Sequence, residues 1–247
     1  MLQRLDDLAD HLATRPDTLA LLGLGSAGIE HDRMDEHSDL DFFVIVTDGA
    51  VASYVDSIDW LATVSPVAYG FANVRNGRKV LFADGVFAEY GVFTLGELSE
   101  LSYAGARVVW QRSGTPSDLA GYGRPPAGPP FETVEFHLNE ALTNLYVGLH
   151  RELRGERLTA ARFIQGYAVD RAIALLNLAR SGVGRDPFDG SRRVEQAYAA
   201  SELPLADLVP GYERNFDAAA AMLAWLEARY FTDPVITGAI RSLLPHR

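Results

Sequence analysis

The sequence predicts an α+β protein in which a mixed β-sheet is followed by a helical bundle. Up to about Arg112, short runs of β-branched and aromatic residues alternate with turn residues, which is typical of strands. Residues 113–130 are dense in Gly and Pro and form a predicted linker. Beyond them, apolar residues recur every three or four positions, the period of a helix. We therefore expect two domains, residues 1–125 and residues 126–247.

The elements of the first domain follow from apolar runs bounded by turn residues. The predicted strands are Thr18–Gly25, Asp41–Thr47, Val67–Val74, Lys79–Ala83, Val86–Leu95 and Arg107–Gln111. Leucines at helical spacing predict an amphipathic N-terminal helix rather than a secretory signal, and a second helical segment is predicted near residues 51–63. Asn76-Gly77 predicts a tight hairpin with positive φ at both positions. The basic residues beside it, Arg78 and Lys79, could contact phosphate, but such residues usually solvate the turn, and that is the expectation here.

Composition restricts the classes of partner. The chain has 247 residues and no cysteine, which excludes disulfides and thiolate metal sites and fits a reducing compartment. No apolar run approaches the length of a membrane span, so we expect a cytoplasmic protein without a membrane partner. A formal net charge of -11 argues against a nucleic-acid partner, because Lys and Arg supply much of that affinity. Acidity also serves solubility, so the charge alone identifies no ligand.

The segment from Leu21 to Val46 contains two phosphate-binding patterns. The first, GLGSAG from Gly23 to Gly28, fits the G-x-G-x-x-G of a dinucleotide-binding turn, and Asp48 follows 20 positions later, where an acid would bind the ribose. Such a turn must lead directly into a helix that packs on the sheet. The residues that follow, IEHDRMDEHSDLD, are too few and too polar for that helix. The dinucleotide interpretation is therefore disfavoured.

The second pattern joins a Gly-Ser turn to two carboxylates. Gly25-Ser26 follows a strand, at a place where backbone N–H groups and a hydroxyl can approach a phosphate. Asp39 and Asp41 open the next strand and point to the same face, because side chains alternate along a strand. Carboxylates this close repel each other, and the usual reason to keep them is a divalent cation with oxygen ligands, such as Mg²⁺. An isolated Asp-x-Asp would more often serve a turn or a helix cap.

A third acid is predicted on a neighbouring strand. Glu89 lies in LFADGVFAEYGVFTL, where alternation places it on one face with Phe87, Gly91 and Phe93. An ionised carboxylate on an apolar strand is costly unless it is paired or bound to a metal ion. Glu89 is therefore a candidate catalytic and metal-binding residue, and a solvent-facing edge position is the alternative.

These residues resemble the signature of a known enzyme superfamily. Gly25-Ser26, twelve intervening residues and the motif DLD from Asp39 to Asp41 resemble the polymerase-beta-like nucleotidyltransferases. The segments SIDWLATVSP and VLFADGVFAEYGVFTLGEL are similar in order and spacing to the lincosamide branch of the lincosamide and aminoglycoside antibiotic nucleotidyltransferases. The later segment NLYVGLHRELRGERLTAARFIQGYA is similar to their helical domain. The resemblance covers most of the chain and is strongest over residues 21–98.

The resemblance implies a magnesium-dependent nucleotidyl transfer. Asp39, Asp41 and Glu89 would hold one or two Mg²⁺ ions that bridge the nucleotide phosphates. Gly25 and Ser26 would bind the phosphates that leave as pyrophosphate. Glu89 or its metal would deprotonate an acceptor hydroxyl, which would attack the α-phosphorus in line.

Two further residues are nucleotide-binding candidates. Ser38 lies directly before the Asp-x-Asp motif. Members of the family commonly have a basic residue and a glycine a few positions after Gly-Ser, whereas this chain has AGIEHDR there. Arg33 is the candidate that would contact the triphosphate in their place, and an exposed loop charge is the alternative.

Three functions remain open at this point. The leading one is O-nucleotidylation of a small hydroxylated molecule, such as a lincosamide- or aminoglycoside-like antibiotic, with ATP or another NTP as the donor. The second is transfer to a protein or an RNA, and the third is a catalytically silent, nucleotide-binding regulatory module. The sequence leaves open whether a homodimer completes the site.

Overall fold

The computed structural model describes residues 2–29, 34–35, 37–103, 105–121, 123–124, 131–180, 186 and 189–245. The chain divides into two compact units, Met1–Ala127 and Gly128–Arg247. In the described residues the first unit contains a mixed sheet with short helices, and the regular elements of the second are all helices. The predicted α+β class, a mixed-sheet domain followed by a helical domain, is confirmed. No described helix is long and apolar enough to cross a lipid bilayer.

The strands of the first unit lie close to their predicted positions. They are β1 (Thr18–Leu24), β2 (Leu40–Val46), β3 (Val67–Val74), β4 (Gly77–Phe82), β5 (Phe87–Phe93) and β6 (Arg107–Gln111). Among the described residues they form one sheet in the order β3-β4-β5-β2-β1-β6. β2 and β5 are parallel, whereas the other neighbouring pairs are antiparallel. The two central strands are therefore the parallel pair.

One face of the sheet packs on three helices. They are α1 (Leu2–Ala13), α2 (Val51–Val55) and α3 (Asp59–Ala62), so the helical segment predicted near residues 51–63 forms as two short helices. The residues of β2 that face them are Leu40, Phe42, Val44 and Val46, all fully buried. These alternate residues fix which side chains of β2 point to the opposite face.

On the opposite face of the sheet, the described residues of the first unit form a smaller core that covers only part of it. Phe43 and Ile45 of β2 pack there in a second core with Leu98, the last residue of α4 (Leu95–Leu98), and with Tyr103. Asp41, nearer the start of β2, lies beyond this cover and is partly exposed. The uncovered part, which we call the open face, therefore begins at the predicted carboxylates.

The hairpin between β3 and β4 turns one residue earlier than predicted. Its turn residues are Arg75 and Asn76, while Gly77 already belongs to β4 and pairs with Val74. Neither Asn76 nor Gly77 has a positive φ, so the predicted type of turn is wrong. The β3·β4 register is irregular between Ala72 and Val74, which shifts the pairing. Glycine serves close packing at this position, since a Cβ on Gly77 would lie 2.8 Å from Val74 Cγ2.

The second unit is a bundle built around one long helix. Its helices are α5 (Val134–Leu153), α6 (Arg157–Ala161), α7 (Ala168–Ala179), α8 (Val194–Ala197), α9 (Leu205–Leu208), α10 (Asn215–Glu227) and α11 (Pro234–Leu243). Thr133 caps α5, because its hydroxyl accepts a hydrogen bond from the Phe136 N–H. A π-helix over Arg162–Tyr167 joins α6 to α7. Buried leucines of α5, with Leu145 at their centre, form the core with α7 and α10.

The backbone geometry of the turn after β1 accounts for glycine at all three positions of the G-x-G-x-x-G pattern. Gly25–Ala27 forms a single 3-10 turn in which Gly25 has a φ of +53°. A Cβ on Gly23 would lie 2.3 Å from the Ala27 carbonyl oxygen, and one on Gly28 would lie 3.0 Å from the Gly23 carbonyl oxygen. Between this turn and β2, the described residues contain no helix of the kind that a dinucleotide turn requires. The glycines serve a compact backbone reversal.

Replacing Gly23 with alanine is expected to lower the free energy of unfolding by about 1–3 kcal/mol, because the added methyl group meets a backbone oxygen of the turn. Urea unfolding followed by circular dichroism measures this loss. Gly96→Ala on α4 is the matched control, since the nearest atom to its added Cβ is Thr94 Oγ1 at 3.9 Å. That variant should keep or raise the wild-type midpoint. Equal midpoints for the two variants would contradict this account of the turn.

Candidate active site

Asp41 and Glu89 lie side by side on the two central strands. They are direct partners in the parallel β2·β5 register, so their side chains share the open face. Asp39 immediately precedes β2, and its carboxylate lies near enough to Lys79 of the same face to raise the pKa of that lysine. All three residues are partly exposed. The fold therefore brings the three predicted catalytic carboxylates to one region of the sheet.

The Gly-Ser turn meets these carboxylates at the end of β1. Leu24, the last residue of β1, is the register partner of Asp41, and Gly25 follows it. A Cβ on Gly25 would lie 3.3 Å from Asp41 Oδ2, so the turn passes directly beside this carboxylate. Ser26 lies within the same turn and is partly exposed. The predicted phosphate-binding pair is thus adjacent to a predicted metal-binding acid.

The other two nucleotide-binding candidates have different outcomes. Ser38 takes part in the turn before β2, where its hydroxyl donates to Asp35 Oδ1 at 3.1 Å and accepts from the Asp35 N–H at 2.9 Å. This is a local structural role, and its contact with a nucleotide stays a prediction. Arg33 lies outside the described residues, so its contact with the triphosphate also stays a prediction.

Both carboxylate oxygens of Glu89 have partners. Lys79 Nζ lies 3.0 Å from Oε2, and Asn73 Nδ2 donates to Oε1 at 2.7 Å. Lys79 is the register partner of Glu89 on β4 and the only lysine in the sequence. The expectation that Arg78 and Lys79 solvate the hairpin turn is therefore wrong: Arg78 donates to the Val55 carbonyl, and Lys79 belongs to the site.

One signal in the sequence could have identified Lys79. Val80 is buried in the core below the sheet, so alternation along β4 turns Lys79 to the open face. The rarity of lysine in this chain singles it out further. Asn73 has no comparable signal, because it reaches Glu89 only through the pairing of β3 with β4.

Lys79 lies in a negative electrostatic field. Its hydrogen bond to Glu89 and the charge of that carboxylate raise the pKa of Lys79, and partial burial opposes this effect. The carboxylates of Asp41 and Asp39 add to the rise in pKa. The ammonium group of Lys79 therefore lies in the field of three carboxylates, and a cleft with acidic groups of this kind concentrates cations.

The donor chemistry of the site suits Mg²⁺ at the two aspartates. Carboxylate oxygens such as those of Asp39 and Asp41 are the hard ligands that this ion prefers. Among the described residues, however, no three His, Asp or Glu side chains are arranged so that they could hold a metal ion. Glu89 already accepts from Lys79 and Asn73, and the remaining lone pairs of its oxygens would be the ones that join the aspartates at an ion. The metal site of three carboxylates stays a prediction.

The pKa of Lys79 should fall in Glu89→Gln, because the largest cause of its elevation is then removed. Asp41→Asn should lower the same pKa less, because that carboxylate contributes less to the elevation. In protein labelled with ¹³C-lysine, the single lysine gives one NMR signal that can be titrated in each variant. An unchanged pKa in Glu89→Gln would show that the pair does not exist in solution.

Comparison of the sequence with protein-family models and with curated proteins finds no match. An aminoglycoside 6-adenyltransferase from Bacillus subtilis is similar in structure, with 13% identity, a TM-score of 0.35, and coverage of 100% of this chain and 93% of that one. A nucleotidyltransferase-like protein from Exiguobacterium sibiricum has 13% identity, a TM-score of 0.34, and coverage of 96% and 77%. A spectinomycin adenyltransferase from Enterococcus faecialis with ATP and spectinomycin has 11% identity, a TM-score of 0.34, and coverage of 98% and 96%. At these identities and TM-scores, the similarity assigns no activity to this chain.

Proposed function

We propose that this chain transfers a nucleoside monophosphate from an NTP to a hydroxyl group of a small molecule and releases pyrophosphate. The observation that carries this proposal is the register pairing of Asp41 with Glu89 beside the Gly25 turn. Phosphoryl chemistry needs a cation with oxygen ligands and a backbone that admits phosphate, and the carboxylates and the Gly25 turn are the groups that would supply them. The resemblance of the sequence to the polymerase-beta-like nucleotidyltransferases favours the same reaction.

The Gly-Ser turn would hold the part of the nucleotide that leaves. Because Gly25 has no side chain, backbone N–H groups and the Ser26 hydroxyl could donate to the oxygens of the outer phosphates. Asp39 and Asp41 would hold Mg²⁺, which when bound neutralises charge on the phosphates. The aspartates would in this way set the position of the α-phosphorus above β2.

Glu89 would act on the acceptor. Its carboxylate would take the proton of the acceptor hydroxyl as that oxygen bonds to the α-phosphorus. The bond between the α-phosphorus and the bridging oxygen of the pyrophosphate would break, and pyrophosphate would leave. Lys79 and Asn73 each contact a different oxygen of Glu89, so together they restrict rotation of the carboxylate. The acceptor hydroxyl would take the place of Lys79 or Asn73 at one oxygen of Glu89.

The other two functions predict different products. Transfer to a macromolecule would yield labelled protein or RNA, and the net charge of -11 disfavours RNA. A regulatory module would bind an NTP without turnover and would keep its function in Asp41→Asn. The proposed transfer to a small molecule would include hydroxylated antibiotics of the lincosamide and aminoglycoside kind among its acceptors.

Pyrophosphate release measured with Mg²⁺, each of ATP, GTP, CTP and UTP, and a panel of hydroxylated antibiotics tests the proposal. Release should require an acceptor and should fall by about 100-fold or more in Asp41→Asn, because the group that positions the phosphates is lost. Asp48→Asn is the matched control, since Asp48 is exposed in the turn after β2. The same loss of charge there should leave the rate unchanged, whereas the dinucleotide interpretation would require Asp48.

Three outcomes would count against nucleotidyl transfer. Equal rates for the wild type and Asp41→Asn would remove the predicted site from the reaction. NTP binding without release, together with an unchanged affinity in Asp41→Asn, would favour the regulatory module. Failure to bind any NTP would contradict both functions.

A further inference from the structure

Three exposed aromatic side chains lie on β5, which carries Glu89, and on β3, which β4 separates from β5. They are Tyr69 and Phe71 on β3 and Phe87 on β5, and we call them the aromatic shelf. Their exposed fractions are 59%, 43% and 37%. A group of exposed apolar rings on one surface commonly marks a place where another molecule binds.

The strand register places the shelf on the open face. Phe71 pairs with Lys79, and Lys79 pairs with Glu89. Glu89 in turn pairs with Asp41, so one row of side chains crosses β3, β4, β5 and β2. Because side chains of directly paired residues share a face, Phe71 belongs to the same surface as the candidate active site.

A second row lies beside the first. Tyr69 pairs with Leu81, which pairs with Phe87. Between the two rings of β3, Gly70 points to the opposite face, where a Cβ would lie 3.0 Å from Val80 Cγ1 in the core. Alternation therefore confines the aromatic side chains of β3 to the open face.

The geometry of the proposed reaction decides which reactant meets the shelf. In-line transfer puts the attacking oxygen and the leaving group on opposite sides of the phosphorus. The Gly-Ser turn follows β1, on one side of the carboxylates, while β4 and β3 lie on the other side. If pyrophosphate leaves over β1, the acceptor has to approach from the side of the shelf.

We infer that the aromatic shelf is the acceptor site, and that the acceptor is a hydroxylated small molecule with an apolar ring. This inference rests on the proposed function. The ring would lie against Phe71 and Tyr69, and the hydroxyl would reach Glu89. The rings of Tyr69 and Phe71 have centroids 6.0 Å apart and planes inclined by 49°, so they present a broad apolar surface. A surface of this kind beside a few polar groups is the usual composition of a small-molecule site.

Steady-state kinetics of Phe71→Ser and Tyr69→Ser test the inference with an acceptor found by pyrophosphate release. The KM for the acceptor should rise about tenfold or more in each variant, while kcat and the KM for the NTP stay within about twofold. Tyr69→Phe, which keeps the ring, should retain the wild-type KM. Ala72→Ser is the control, because Ala72 is an exposed residue on the other face of the same strand.

Other kinetic results would overturn the inference. A rise in the KM for the NTP alone would assign the shelf to the nucleobase. A dimer that dissociates in both variants, with an unchanged acceptor KM, would assign it to a second copy of the chain paired along the edge strand β3. Unchanged KM values for both substrates would leave the rings without a binding role.

A binding measurement that needs no turnover separates this inference from the proposed function. Saturation-transfer NMR compares phenyl β-D-glucopyranoside with methyl β-D-glucopyranoside as probes. The phenyl protons should receive saturation in the wild type and in Ala72→Ser, and lose it when Tyr69 and Phe71 are both changed to serine. Equal signals in the double variant and the wild type, or none in the wild type, would overturn the shelf as a ring-binding surface. Ring binding without any pyrophosphate release would contradict the proposed function and leave the shelf as a ring-binding surface that is not an acceptor site.

Discussion

The register between β2 and β5 is the constraint on which the candidate site depends. A shift of one residue would turn Glu89 to the buried face and bring Ala88 or Tyr90 to the open one. Buried contacts hold the register: Phe42 and Tyr90 stack with centroids 5.4 Å apart and 8° between planes. Burial raises the pKa of Tyr90 to about 12, so its hydroxyl stays protonated and donates to the Tyr54 carbonyl at 3.0 Å. The core on one face therefore positions the carboxylates on the other.

Three acids on one part of a sheet repel one another, and Lys79 and Asn73 offset this cost at Glu89. The single lysine of the sequence is the residue that contacts Glu89 Oε2. The same ammonium competes with any cation for Glu89. Among the described residues no three side chains form a ready metal site, although the two aspartates have suitable oxygens.

Local patterns were enough to identify the acids but not their partners. Alternation within single strands predicted the faces of Asp41 and Glu89, and the strands formed close to their expected positions. Strand neighbours depend on packing between distant segments: β2 lies beside β5 although β3 and β4 separate them in the sequence. Spacing alone could therefore not reveal the contacts of Glu89 with Lys79 and Asn73. The wrong prediction of the β3–β4 turn also arose from strand pairing. The irregular register between Ala72 and Val74 places the turn at Arg75 and Asn76, one residue before the Asn-Gly pair that predicted it.

The apolar cluster beside the open face separates the covered part of the sheet from the part that carries charge. Phe43 makes edge-to-face contacts with Phe93 and Tyr103, at centroid distances of 5.0 and 5.6 Å, and these rings shield the remainder of β2 and β5. Glycine at position 91 admits them, since a Cβ there would lie 2.5 Å from Phe93 Cε2. The carboxylates begin directly beside this apolar wall. They keep access to water on one side while the low dielectric on the other strengthens their field. Such a boundary suits a reaction in which charged phosphates and an uncharged hydroxyl must meet at one carboxylate.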